Sequence, residues 1–180
     1  MPTARPSTVT LHVVSSLDGF IASKDNTVGW MDTPGDPYEK GITDDGADTL
    51  QSIDCYVLGS HTYEHALQLG WPYGDTPTFV ATTRQLPRTR ETVQFCAGDL
   101  RKFVSETLAP RYRNIWLVGG AILGQHFLEL GLVDEIRLMI APVTLGAGLR
   151  LFSDSSSEQR WNLRNVVGYR NGYVELSYSR

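Results

Sequence analysis

Ile115-Trp116-Leu117-Val118-Gly119-Gly120-Ala121-Ile122-Leu123-Gly124-Gln125-His126 is an apolar strand that runs into paired glycines and straight on into a helix. The continuous apolar run 115–118 is what a strand covered on both faces requires, and Ile122, Leu123, Phe127 and Leu130 then recur at helical spacing. Gly119 and Gly120 mark the turn. Glycine adopts positive φ without steric cost and lets a ligand approach the backbone with no Cβ in the way. The first N–H groups of the following helix have no intrahelical partner and point at an anion, so a phosphate or pyrophosphate suits the junction. A tight turn with close helix–strand packing accounts for the same two glycines, and neighbouring segments have to decide between the two.

A second junction repeats the pattern: Val57-Leu58-Gly59-Ser60-His61-Thr62 gathers hydroxyls and backbone N–H groups at another helix start. Ser60 or Thr62 taken alone reads as an ordinary helix cap. Together, two such mouths suit the two phosphates of one dinucleotide. Thr82-Thr83-Arg84 directly follows a strand, at the end where open α/β sheets bind ligands. A guanidinium flanked by hydroxyls suits the ribose 2′-phosphate that separates NADP from NAD, although an exposed loop arginine is the plain alternative.

The remaining elements follow in an alternating rhythm. A strand over 9–14 passes through Ser15-Ser16-Leu17-Asp18-Gly19 to an apolar 20–22, and Asp-Gly is a strong turn signal. Residues 24–41 form a long loop rich in Asp, Gly and Pro, of the kind that serves a site. Thr43, Asp44 and Asp45 suit the start of a helix ending near Asp54. Strands are expected over 55–58, 78–82, 93–96 and 135–140, with a helix from 60 to about 69 and another capped by Asp99 and ended by Pro110. Two last strands, near 161–167 and 173–178, flank Arg170-Asn171-Gly172; Asn-Gly favours a two-residue hairpin turn with positive φ at both positions. Val174, Leu176 and Tyr178 alternate with Tyr173, Glu175 and Ser177, the pattern of a strand with one face packed and one wetter. The expected architecture is therefore α/β: a three-layer, doubly wound, mostly parallel sheet with an antiparallel C-terminal hairpin, as one domain over residues 1–180.

At 180 residues with 41% hydrophobic and 20% charged residues, the chain has ordinary globular composition, and its core needs no metal or disulfide staple. A net charge of −4 offers no basic footprint for nucleic acid or an anionic membrane, which favours a small-molecule substrate as partner. Cys55 and Cys96 stand in apolar runs far apart and read as buried thiols. No apolar run approaches the ~20 residues of a membrane span, and a cytoplasmic location is expected. His61-Thr62-Tyr63-Glu64-His65 matches the H-x-x-E-H pattern of inverted zinc peptidases, with His61 and His65 as ligands and Glu64 as base. Zinc catalysis needs a third protein ligand, and no following helix supplies an obvious one, so no metal is expected.

Taken in order, Ser16 to Ala22, Val57 to Tyr63, Thr82-Thr83-Arg84, Val118-Gly119-Gly120 and Asp134-Glu135 through Pro142 to Gly148 resemble the dihydrofolate reductase-like superfamily. The nearest likeness is to its branch named after the reductase (RibD C-terminal) domain of riboflavin biosynthesis. That resemblance implies NADPH as hydride donor, frequently a homodimer, and a cis peptide between Gly119 and Gly120, a rarity for a non-proline bond. It also implies that Gly59, Ser60, His61 and Thr62 meet the cofactor phosphates, that Thr83 and Arg84 lie near the adenosine, and that Val118, Gly119, Gly120, Ala121, Ile122 and Leu123 hold the pyrophosphate and nicotinamide side. Ser16, Asp18 and Gly19, with Ala22, would border the nicotinamide and substrate. Asp18 is the first candidate to orient or polarise the substrate, with Asp32 and Asp48 behind it; a purely turn-forming Asp18 is the alternative. The implied activity is reduction of a planar heterocycle, pterin-like or an aminopyrimidine, and the alternative is an NADP-binding module without chemistry. Two departures leave the substrate open. Gly29-Trp30-Met31-Asp32 stands where folate reductases carry Pro-Trp-x-Leu-Pro, and Phe20 stands where riboflavin-pathway reductases often carry a basic residue.

Overall fold

Strand β1 (Thr8–Ser15) belongs to two compact units at once in the computed structural model of the chain, which describes residues 7–32, 53–152 and 158–180. Its first half joins residues 53–134, and its second half joins 12–32, 135–152 and 158–180. The expected helix of Thr43 to Asp54, and Asp48 with it, lies almost wholly outside the described residues.

The first unit holds β3 (Cys55–Gly59), α1 (Ser60–Gln68), β4 (Thr78–Ala81), β5 (Val93–Cys96), α2 (Leu100–Lys102), β6 (Asn114–Gly119) and α3 (Ala121–Glu129). Strands run in the order β5-β4-β3-β6-β1, each pair parallel. Such strands need cover on both faces, which is why they read as continuous apolar runs. Alternation along each strand divides that cover. Leu58, Val80 and Val93 pack under α1 with Tyr63, Ala66 and Trp71, all buried. Val57, Phe79 and Leu117 share the opposite face by register, and Phe79 meets Phe103 and Tyr112 edge-on at 5.5 and 5.8 Å. Asp99 caps α2 as expected, accepting from the Arg101 and Lys102 N–H groups, and the helix continues as a wider π-helical stretch over Phe103–Leu108. Both cysteines are free thiols, each pushed up to about 12 by burial.

The second unit holds β2 (Phe20–Ala22), a 3₁₀ turn (Gly29–Met31), β7 (Glu135–Ile140), β8 (Leu149–Arg150), β9 (Asn162–Gly168) and β10 (Val174–Ser179). Here β7, β10 and β9 pair antiparallel, giving the expected antiparallel edge. A short ribbon, β2 with β8, was not legible in the sequence, since three and two residues carry no periodicity. The final hairpin departs from expectation in its turn. Gly172 has φ +88, but Asn171 does not adopt positive φ; the Gly172 N–H donates to the Tyr169 carbonyl, and the Asn171 side chain accepts from the Tyr173 N–H. This is a three-residue loop ending in a left-handed glycine, which needs positive φ once rather than twice. The alternation of β10 also departs from expectation. Tyr173 and Glu175, not Val174 and Leu176, lie on the well-buried face, at 4% exposure each, because Arg137 of β7 neutralises Glu175.

Candidate active site

In the first unit the two glycine junctions come side by side because β3 and β6 are adjacent parallel strands, with Leu58 opposite Gly119. β3 ends at Gly59, which caps α1; β6 ends at Gly119, and Gly120 caps α3. Neither helix start is capped by a side-chain hydrogen bond, so first-turn N–H groups face outward from both mouths. Gly119 has φ +97, and the Gly119–Gly120 peptide is cis, as the resemblance implied. The two junctions also lie within contact distance of each other. A Cβ on Gly59 would lie 3.5 Å from the Gly119 carbonyl oxygen and 3.7 Å from the Gly120 nitrogen, and one on Gly120 would lie 3.5 Å from the Thr62 hydroxyl.

The expected phosphate-side residues therefore gather on one end of this unit, while Ser16 and Ala22 belong to the other unit. Gly59, Ser60, His61 and Thr62 line one mouth; Val118, Gly119, Gly120, Ala121, Ile122 and Leu123 form the other. Leu123 turns inward and is nearly buried, whereas Ile122 leaves 70% of its surface exposed beside the mouth. Thr82, Thr83 and Arg84 follow β4 on the neighbouring strand, where the Thr82 hydroxyl accepts from the Arg84 N–H at 3.0 Å. The Arg84 guanidinium is not free as the sequence suggested. It forms a two-point pair with Glu64 of α1, Nη1 to Oε2 at 3.0 Å and Nη2 to Oε1 at 2.7 Å. Hydrogen bonding from Arg84 holds the Glu64 carboxyl below its ordinary range, and His61 adds a weaker pull with Nδ1 3.5 Å away. Glu64, the base of the zinc-peptidase pattern, is thus engaged by an arginine, and among the described residues no group of three or more His, Cys, Asp or Glu side chains is placed to hold a metal.

The donor set fits a dinucleotide phosphate group: outward N–H groups at two mouths, hydroxyls of Ser60 and Thr62 beside them, and backbone with no Cβ to block approach.

In the second unit, Asp18 is spent on its own loops. Its Oδ1 accepts from the Ser16 hydroxyl at 2.6 Å and the Leu145 N–H at 3.1 Å, and its Oδ2 accepts from the Gly146 N–H at 2.7 Å. The Ser16 hydroxyl in turn accepts from the Phe20 N–H, so the expected nicotinamide-side residues Ser16 and Asp18 close the turn instead of pointing away from it. Ala22 sits in β2, nearly buried and paired with Leu149. Asp32 is exposed after the 3₁₀ turn; burial, then the Asp32 charge, raises the Tyr173 hydroxyl, which donates to the Met31 carbonyl. The Asp18 contacts with Leu145 and Gly146 were hidden because partners 127 and 128 residues away leave no local pattern.

These bonds give Asp18 an acid signature. The Ser16 hydrogen bond, reinforced by the two backbone N–H groups, holds its carboxyl at about 2. A carboxylate lowered in the fold binds fewer protons than its unfolded counterpart, so its stabilisation is complete above the unfolded value, near 3.9, and is lost as pH falls toward 2. Thermal melts of the chain and of Asp18→Asn should therefore differ most at pH 5, the gap closing between about pH 4 and pH 2. A gap independent of pH would show that the ionised carboxylate is not what ties the loops.

The family model of the RibD C-terminal domain matches residues 56–174. The uncharacterized protein YwjB of Bacillus subtilis (strain 168) is 33% identical over 173 residues, covering 94% of this chain and 96% of its own. Among solved structures, a candidate riboflavin biosynthesis protein from Shewanella sp. PV-4 superposes with a TM-score of 0.82 at 24% identity, covering 96% of this chain and 98% of its own. Dihydrofolate reductase from Enterococcus faecalis, solved with NADP(H) and RAB-propyl, superposes with a TM-score of 0.66 at 14% identity, covering 96% of each chain, and so shares the fold. With a family model over more than half of its length and a relative above 30% identity along nearly all of it, the chain belongs to the RibD C-terminal domain family and has its dihydrofolate reductase-like fold.

Proposed function

We propose that the chain is an NADPH-dependent reductase of a planar heterocycle, of the pterin or aminopyrimidine class. The observation that carries this reading is the pair of adjacent glycine-to-helix mouths at the ends of β3 and β6, an anion cradle built twice on neighbouring strands. Gly59 to Thr62 and Gly119 to Leu123 would hold the cofactor phosphates through backbone N–H groups and hydroxyls, and Thr83 with Arg84 would lie toward the adenosine. Bound NADPH would supply a hydride, and the protein's share is to position that donor against its acceptor and to exclude water. Asp18, locked between two loops, would act by fixing the shape of the Ser16 to Ala22 turn. The exposed Asp32 or a water would then deliver the proton. The small-molecule substrate and a homodimeric state belong to the same proposal.

Purified protein given NADPH and a panel of dihydrofolate, dihydropterins, the aminouracil intermediate of riboflavin synthesis and quinonoid compounds should lose reduced-nicotinamide absorbance with at least one of them. Saturable NADPH binding without any turnover would favour the second reading, an NADP-binding module. The internal engagement of Asp18 speaks for that alternative. Absence of NADPH binding would end both.

A further inference from the structure

An exposed carboxylate can recover a proton from water after every turnover, but it can hand that proton to one atom of a bound ligand only if its backbone is fixed. Asp32 meets the first condition, since it is exposed at the end of the 3₁₀ turn Gly29–Met31. The second condition depends on that turn, which has little of its own to hold it. It is closed by the Met31 N–H donating to the Val28 carbonyl at 2.9 Å and the Asp32 N–H donating to the Gly29 carbonyl at 3.2 Å. Bonds of this geometry are poorer than those of an α-helix, and the turn buries the Trp30 indole N–H with no acceptor among the described residues.

Tyr173, far away in sequence, supplies the missing anchor. Its ring is 4% exposed in a core cluster with Met139, Ala141, Val167 and Tyr169, and Trp30 packs against that cluster. Its hydroxyl reaches out of the cluster and donates to the Met31 carbonyl at 2.7 Å, across 142 residues of chain. The β9–β10 hairpin fixes the other end of the same residue: the Tyr169 N–H donates to the Tyr173 carbonyl at 2.9 Å, and the Tyr173 N–H donates to Asn171 Oδ1 at 3.1 Å. The Asp32 charge is felt at this hydroxyl, so carboxylate and phenol are neighbours. A rigid hairpin is thus bonded to the peptide unit that directly precedes Asp32.

We propose that Tyr173 is a positioning residue that, by holding the Met31 carbonyl, fixes Asp32 as the proton donor of the reaction; the inference rests on the reductase reading given above. Reduction of a carbon–nitrogen or carbon–oxygen double bond adds a hydride at carbon, taken from NADPH as it becomes NADP+, and a proton at the nitrogen or oxygen. The proton is the share of Asp32, whose exposed carboxylate then regains one from water. Tyr173 gives up no proton of its own, because its hydroxyl is buried and already spent on a carbonyl.

The test is a double-mutant cycle of Tyr173→Phe and Asp32→Asn, read as kcat and KM with NADPH and each compound of the panel above. Asp32→Asn should lower kcat by about a hundredfold, and Tyr173→Phe, which keeps the ring and loses one hydrogen bond, by about tenfold. KM for NADPH should stay within about twofold in both, and the double variant should be no slower than Asp32→Asn alone, since nothing is left to position. Tyr169→Phe removes another hydroxyl from the same cluster and should change kcat by less than about twofold. Independently of turnover, hydrogen exchange at the Met31 and Asp32 amides should quicken roughly fivefold in Tyr173→Phe. Circular dichroism checks folding, and Asn171→Ala, which frees the Tyr173 N–H, takes the place of Tyr173→Phe in the cycle if that variant folds poorly. Additive losses in the double variant, or unchanged exchange at the turn, overturn the role of Tyr173 and leave the reductase reading intact. An Asp32→Asn variant as fast as wild type does the same, since water then delivers the proton. Failure of wild type to turn over any compound of the panel overturns the reductase reading itself, and the role of Tyr173 with it.

Discussion

Gly148→Ala is expected to lower the melting temperature of the chain by on the order of 10 °C. Gly148 has φ +154, and a Cβ built there would overlap the carbonyl oxygen of Ala22, with the Ala22 carbonyl carbon and the Ser23 Cα at 3.2 and 3.3 Å. The obstruction is backbone of β2, so no side chain can swing aside. Two costs combine: a backbone conformation that L residues avoid, about 1–3 kcal/mol, and overpacking against fixed atoms, about another 1–3. The strand that must shift carries Phe20 and Ala22 and pairs with β8, and it follows the turn whose Asp18 is bonded to Leu145 and Gly146. Gly146→Ala is the internal control. Its φ of +72 is also positive, though in the left-handed well that costs alanine less, and nothing lies within 4 Å of the added methyl, so only about 1–2 kcal/mol should be lost. Equal losses in chemical denaturation would show that conformation alone, not contact with β2, makes Gly148 necessary.

How much of this could be read from the chain divides along one physical line. Local regularities were legible. The apolar runs at 93–96 and 135–140 became β5 and β7 with those bounds, Asp99 caps α2, and both glycine junctions lie where the sequence placed them. Relations between distant residues were not. Arg84 and Glu64 are 20 residues apart, and their pairing changes what Arg84 is available to do. Glu175 alternates with Val174 and Leu176 as a solvent-facing residue would, because alternation assigns a charged side chain to water unless a partner is known. That partner, Arg137, is 38 residues away. The hairpin turn erred for a smaller reason: Asn-Gly fits both a two-residue and a three-residue loop, and only strand register chooses between them. The fold was thus visible through patterns that repeat, and the site through its glycines. The charges that tune the site emerged only with tertiary structure.

Glu175→Ala should be the most damaging change in the sheet of the second unit, costing about 3–5 kcal/mol. Arg137 on β7 and Glu175 on β10 project from the same face of neighbouring antiparallel strands, since Ser177 lies opposite Arg137 and Glu175 opposite Met139. The Arg137 Nη2 donates to Glu175 Oε1 at 2.6 Å, and the Tyr169 hydroxyl donates to Oε2 at 3.4 Å. With Arg137 at 14% exposure and Glu175 at 4%, truncating the acid leaves a guanidinium nearly cut off from water and without its counter-charge. The nearby His12 offers no counter-charge, since an imidazole is either neutral or cationic; burial, then the Arg137 charge, drives it down to about 3 and keeps it neutral. Arg137→Met alone should cost a comparable amount by stranding the carboxylate. The double change Arg137→Met with Glu175→Gln keeps an acceptor for Tyr169 and removes both charges, so it should return to within about 1 kcal/mol of wild type. Urea unfolding of wild type, Arg137→Met, Glu175→Gln and the double variant supplies the cycle, with Glu175→Ala measured beside it. A double variant as unstable as the sum of its parts would mean that the two side chains act independently. A nearly neutral Glu175→Ala would mean that water reaches Arg137 in the folded protein.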